Sequence, residues 1–271
     1  MNTSFQQLQK EDEKFQEYLR RGDGIFEEFF EFVRQETIEC GNVRKRTDKP
    51  RSYFVSMIRL IYAYEFYYGC IIEDIASMDC YRKLKNFMEL PEMTKINRES
   101  RRFYSAPLSS FYKFLLKYLE ADYVDDRKTS IDFLDEVDLD TSSDARAEKV
   151  FLNNRFIYPR NPKITQEAKK RANWKCDMDA DHITFTSQFD DNPYMEAHHL
   201  IPMAVQDFYE NSLDFVGNII CLCPTCHRKI HYAIDSDKRE MLQALFKKRK
   251  QAYEDKGISI TLGELYKHYG M

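Results

Sequence analysis

Histidine is confined to one part of this 271-residue chain. There are six, none before His182, and five fall between His182 and His231. Four of the seven cysteines, Cys176, Cys221, Cys223 and Cys226, lie in nearly the same stretch. Imidazole and thiolate are the common protein ligands of zinc and related cations. A segment this dense in both must fold so that several of them meet.

The rest of the composition sets the frame. Hydrophobic residues make up 43%, enough to bury a core, and aromatics reach 14% with 18 Tyr and 20 Phe. The net charge is −4 and the pI about 5.9, an average that hides local basic clusters. The first twenty residues are rich in Gln, Glu and Lys, and no run approaches the ~20 apolar residues that span a bilayer. The reading is a soluble, cytoplasmic protein with no membrane partner, in which the odd number of cysteines are thiols or metal ligands.

Three parts follow along the chain. Residues 1–119 read as an all-α domain. Apolar residues recur at helical spacing over 25–38 (Ile25, Phe26, Phe29, Phe30, Val33). A second helix is predicted from a cap at Ser52 to about Gly69, a third over 75–88 and a fourth from Pro107. Residues 120–149 read as an acidic linker, with eleven Asp or Glu over 120–148 against Arg127, Lys128 and Arg146. It is a solvated spacer by default, or a DNA mimic that shields a basic site. Residues 150–271 form the third part. Thr165 is placed as the cap of a short helix, a basic amphipathic helix is predicted over 236–256 with Gly257 as its stop, and a last helix starts at Thr261. His268 reads as solvent-exposed.

Within the third part stand Glu196-Ala197-His198-His199-Leu200-Ile201-Pro202 and Asn218-Ile219-Ile220-Cys221-Leu222-Cys223-Pro224-Thr225-Cys226-His227-Arg228-Lys229-Ile230-His231. His227 and His231 are four apart, so on a helix both rings project from one face. Residues 194–199 and 219–222 suit two short strands around a loop. Strand, loop, strand and helix would then hold a divalent cation between strand and helix.

These residues resemble the HNH (ββα-metal) nuclease motif, and the spacing from Asn218 to His227 and His231 is similar to that of colicin nuclease domains. The resemblance covers roughly sixty residues. It implies an α+β chain, with an N-terminal all-α domain followed by a ββα-metal domain. It also implies a metal-dependent endonuclease that hydrolyses double-stranded DNA, leaving 5′ phosphate and 3′ hydroxyl, in a setting of bacterial restriction or defence against phage. By position, His198, His227 and His231 would hold one catalytic cation (Mg²⁺, Mn²⁺, Ni²⁺ or Zn²⁺). His199 would be the general base, and Asn218 would pin the loop that orients it or help hold the metal. Glu196 reads equally as a partner of this cluster or as a plain strand residue.

A structural zinc is the second cofactor implied. Cys223 and Cys226 form a Cys-x2-Cys knuckle, and a closed site wants four ligands. Many HNH proteins supply an earlier Cys-x2-Cys. Here Asp179 stands where its second Cys would be, and His182 is the next candidate. The predicted set is Cys176, His182, Cys223 and Cys226, leaving Cys221 in the core. Arg228, Lys247, Lys248 and Arg249 are candidate DNA contacts. In the N-terminal part, the Tyr-rich helix after Ser52 and the stretch 105–115 resemble the core-binding domain of tyrosine recombinases, a helical DNA clamp. A homodimer would supply the second cut of a duplex, and a partner subunit encoded nearby is the other association this reading admits. The contrasting reading is a non-catalytic zinc module that binds DNA or protein, which would have no need of His199.

Overall fold

The computed structural model describes residues 8–39, 48–101, 103–120, 145–152, 155–188 and 190–271. The chain divides into two compact units, Met1–Lys117 and Tyr118–Met271. Most of the acidic stretch read at 120–149 lies outside the described residues.

Helices are the regular secondary structure of the first unit's described residues: α1 (Glu13–Arg21), α2 (Ile25–Glu39), α3 (Lys49–Tyr68), α4 (Met78–Met88), α5 (Pro91–Glu99) and α6 (Ser105–Glu120). Aromatic side chains weld it together. Phe29 of α2 meets Phe111 of α6 edge-on at 5.2 Å, and Phe15, Phe26, Met57, Ile61, Leu84 and Phe87 are fully buried around it. Glu65 of α3 is buried but not alone. Tyr18 donates to it at 2.6 Å, Arg21 grips both oxygens at 2.7 and 2.9 Å, and the Ile72 amide adds 2.7 Å. A buried carboxylate needs such a set of donors to offset its lost hydration.

The helix starts differ from those read in the sequence. Ser52 lies inside α3, because Pro50, with its fixed φ, suits the first turn and moves the start back to Lys49. The start near Pro107 likewise moves back to Ser105. Helices α1 and α5 were not expected; each is nine residues long and mostly polar, and buries only Phe15 and Tyr18 (α1) or Met93 (α5).

The second unit opens with a hairpin, β1 (Val150–Leu152) against β2 (Arg155–Ile157), and a helix, α7 (Pro162–Arg171). Asn161 rather than Thr165 caps α7, its side chain accepting from the Lys163 amide at 2.9 Å. Next come β3 (Glu196–His199), a 3-10 turn at Met203–Phe208, and β4 (Ile219–Leu222). The strands pair antiparallel, with His198 opposite Ile220 and His199 opposite Ile219. Helix α8 (Pro224–Tyr232) follows directly, so β3, β4 and α8 form the ββα unit. Helices α9 (Asp235–Asp255) and α10 (Leu262–His268) complete the unit. Gly257, at φ 69°, ends α9 in the left-handed conformation that glycine adopts without strain. Gly217 allows a close approach: a Cβ there would meet Ala252 of α9 at 2.7 Å. A capping box between Thr261 and Glu264 starts α10. Leu200, Ile201, Val205, Leu213, Ile220, Ile230 and Leu245 are buried, and this core fixes the strands that carry the histidines.

Candidate active site

Side chains from β3 and α8 converge on one point. His198, His227 and His231 each offer a ring nitrogen, and the three atoms lie within 4.8 Å of one another. His198 Nδ1 is 3.2 Å from His227 Nε2, which is itself 3.2 Å from His231 Nε2. The far side of His227 is occupied: its Nδ1 stands 2.6 Å from a carboxylate oxygen of Glu196. A carboxylate only accepts, so Nδ1 carries the proton and Nε2 presents a lone pair to the cluster. His198 is buried and resists protonation. Burial pushes its pKa well below the ordinary value, and His231, His227, His199 and Arg160 add to the effect. A cation between them would draw one lone pair from each neutral ring. Tetrahedral ligands at the usual metal–nitrogen distance stand about 3.3 Å apart, so the spacing fits a shared ion. His231 is exposed, which leaves one side of the cluster open to solvent.

His199 is held on a different partner. Its Nε2 lies 2.8 Å from Asp214 Oδ1, and both side chains are buried. The other oxygen of Asp214 accepts from the Asn161 amide at 2.6 Å, ahead of α7. Asp214 thus fixes one face of the imidazole and leaves Nδ1 as the basic atom. Asn218 is fully buried and its side chain makes four hydrogen bonds. Its Oδ1 accepts from the Ile201 amide (2.8 Å) and Tyr253 hydroxyl (3.1 Å), and its Nδ2 donates to the Ile201 (2.9 Å) and Leu213 (2.8 Å) carbonyls. It ties both ends of the β3–β4 loop together directly behind His199.

The second cluster joins Cys176, His182, Cys223 and Cys226, whose ligand atoms lie within 4.8 Å of one another. His182 Nδ1 is 3.5 Å from each of the Cys223 and Cys226 sulfurs. A tetrahedral zinc would hold such a nitrogen and sulfur about 3.6 Å apart. Burial works against a Cys176 thiolate. Donors from the backbone of Cys223, Asp179 and Met178, and from the His182 ring, nevertheless bring its pKa down to about 7. Burial and the neighbouring thiols push Cys226 the other way, a conflict that a shared cation would remove. Cys221 is buried outside this set.

Asp177, one residue from Cys176, braces the knuckle. It accepts from the Cys221 amide at 2.7 Å and from Arg249 at 2.9 Å, and its carbonyl accepts from Lys248. Two of the four basic residues singled out in the sequence, Lys248 and Arg249, are thus engaged in holding the knuckle, while Arg228 and Lys247 are exposed. His268 is buried, contrary to the expectation of an exposed ring. At the end of α10 it packs on Phe208 and shares a hydrogen bond with the Tyr209 hydroxyl at 2.9 Å.

Sequence reasoning missed Asp214 and Tyr269. Asp214, four residues before Asn218, is one acid among several in its loop. Tyr269 lies far from the motif, yet its hydroxyl is 2.7 Å from His198 Nε2. No spacing rule could have linked them.

Comparison with known proteins agrees with this geometry. Residues 186–233 match the HNH endonuclease family. That span includes His198, His199, Asn218, Cys223, Cys226, His227 and His231, and leaves Cys176 and His182 outside. The chain is also similar to the type IV methyl-directed restriction enzyme EcoKMcrA of Escherichia coli (strain K12), with 29% identity over 90 residues. The aligned stretch covers 33% of this chain and 30% of that enzyme, so it spans less than a third of the relative's length. No helix among the described residues is long and apolar enough to cross a membrane. Residues 186–233 are therefore an HNH endonuclease module, in a chain that resembles restriction-type members of that family.

Proposed function

We propose that this protein is a metal-dependent endonuclease that hydrolyses phosphodiester bonds in double-stranded DNA, in restriction of foreign DNA. The observation that carries the reading is the convergence of three imidazole nitrogens beside a fourth, separately held histidine. A divalent cation held by His198, His227 and His231 would polarise the scissile phosphate and stabilise the leaving 3′ oxygen. His199 Nδ1 takes a proton from the attacking water; a neutral imidazole suits that task near pH 7. Asp214 selects the tautomer that leaves Nδ1 free, and Asn218 holds the loop against which the pair is set. The products are a 5′ phosphate and a 3′ hydroxyl.

A zinc ion held by Cys176, His182, Cys223 and Cys226 would fasten the start of α8 to the 176–182 segment, and so fix where His227 and His231 point. Arg228 and Lys247, both exposed, would contact phosphates. The helical unit serves as the clamp or specificity module, and modified bases are a substrate feature suggested by the methyl-directed relative.

Purified protein incubated with supercoiled plasmid, plain and methylated, tests the reading with Mg²⁺, Mn²⁺ or Ni²⁺ in turn. Nicking or linearisation that EDTA and His199→Ala both abolish is the expected result. Intact plasmid under every condition would favour a zinc-containing binding module, or a subunit that needs its partner.

A further inference from the structure

His198 makes two contacts at once, one into the histidine cluster through Nδ1 and one to Tyr269 through Nε2. The Tyr269 hydroxyl also lies 3.0 Å from the Leu200 carbonyl, to which it donates. With that proton on Leu200, the hydroxyl oxygen accepts from His198, the assignment on which the inference rests. Nε2 of His198 then carries the proton, and Nδ1 is left with its lone pair aimed at His227 and His231. Glu196 does the same for His227 from the other side.

We infer that Tyr269 is a positioning residue of the metal centre: it fixes His198 in the tautomer that makes Nδ1 a ligand. The inference rests on the cation site proposed above. The placement of Tyr269 is built into the fold. Helix α10 is anchored by its capping box, by buried Leu265, and by His268 on Tyr209. Tyr269 follows at its end, with its amide on the Tyr266 carbonyl at 3.0 Å. Residues far outside the 186–233 module thus set the chemistry of a side chain within it. Without the hydroxyl, the imidazole of His198 divides between two tautomers and two ring orientations, and only one presents Nδ1 to a cation. Loss of a partner of this kind lowers metal affinity by about 10- to 100-fold.

The test uses the zinc-loaded full chain and Co²⁺ as the probe, with binding followed by calorimetry and by the visible absorption of the bound ion. Tyr269→Phe should bind Co²⁺ about 10- to 100-fold more weakly than the wild type, and His227→Ala should lose the site. Long-range ¹H–¹⁵N correlation on the metal-free wild type should show His198 protonated at Nε2, a readout that needs no variant. Co²⁺ binding by Tyr269→Phe equal to wild type, or His198 protonated at Nδ1, overturns the role of Tyr269 alone. Failure of the wild type to bind Co²⁺, or full binding by His227→Ala, overturns the three-histidine site as well.

Discussion

Truncating Asn218 to alanine would separate a structural clamp from a chemical participant. The side chain is fully buried, and its amide satisfies four groups: the Ile201 amide and carbonyl, the Leu213 carbonyl and the Tyr253 hydroxyl. Each buried group left without a partner costs about 1–3 kcal/mol. Relaxation and an entering water recover part of that, so the net loss should be about 3–5 kcal/mol, at the high end for a single substitution. The only tryptophan, Trp174, lies in the same unit, so its fluorescence follows this unit's unfolding. In urea, where a domain loses ~1–3 kcal/mol per molar, the midpoint should fall by about 2 M with an unchanged slope. Cleavage should fall as well, because the loop behind His199 loosens. A loss of stability below about 1 kcal/mol with cleavage abolished would refute the clamp and place Asn218 at the reacting groups.

Three further outcomes are expected. Asp214→Asn should lower kcat by about 10²- to 10⁴-fold, as loss of an orienting carboxylate does for a histidine base, while Co²⁺ affinity by calorimetry stays within about threefold; parallel loss of both would count against a role confined to His199. Cys226→Ala should yield a protein that retains one zinc fewer than wild type by elemental analysis and loses the cooperative Trp174 transition, whereas a variant with the wild-type zinc content and cooperative folding would remove Cys226 from the ligand set. The third outcome concerns His268. Burial lowers its pKa to about 4, from 6.5 for an ordinary imidazole, so the unfolded chain takes up a proton that the folded chain refuses. Its contribution is full above pH about 6.5 and is lost as the pH falls towards 4, up to about 3 kcal/mol. Urea titrations over that window should show a shallower acid loss in His268→Gln; an identical slope would mean that the ring titrates normally.

The parts of this architecture that could be read from the chain share one property: they are local. His227 and His231 on one helical face, the Cys223–Cys226 knuckle and the helix start at Thr261 each rest on five residues or fewer. The helix over 25–38 repeats its apolar residues often enough to stand out. What escaped reading depends on contacts between distant segments. The Asp214 partnership requires the β3–β4 loop to fold back on the strand it left, with Asn161, the cap before α7, supplying the amide that fills the second oxygen. Tyr269 reaches His198 across 71 positions of sequence. Lys248 and Arg249 read as candidate DNA contacts; Asp177, 72 positions from Arg249, gives both of them a structural use that the basic run does not show. Glu196 could be taken either way until His227 was found 2.6 Å from it. His268 went wrong for a related reason, since a lone ring in a short helix says nothing about which face turns inward.

The central claim is that His198, His227 and His231 hold the cation on which DNA cleavage depends. Diffraction at the cobalt absorption edge, from crystals of the zinc-loaded protein with added Co²⁺, tests it most directly. The account predicts an anomalous peak about 2.0–2.2 Å from His198 Nδ1, His227 Nε2 and His231 Nε2, with His199 close by and bound to none of it. A preparation that cleaves plasmid with Co²⁺ yet shows no cobalt at these three nitrogens would contradict it.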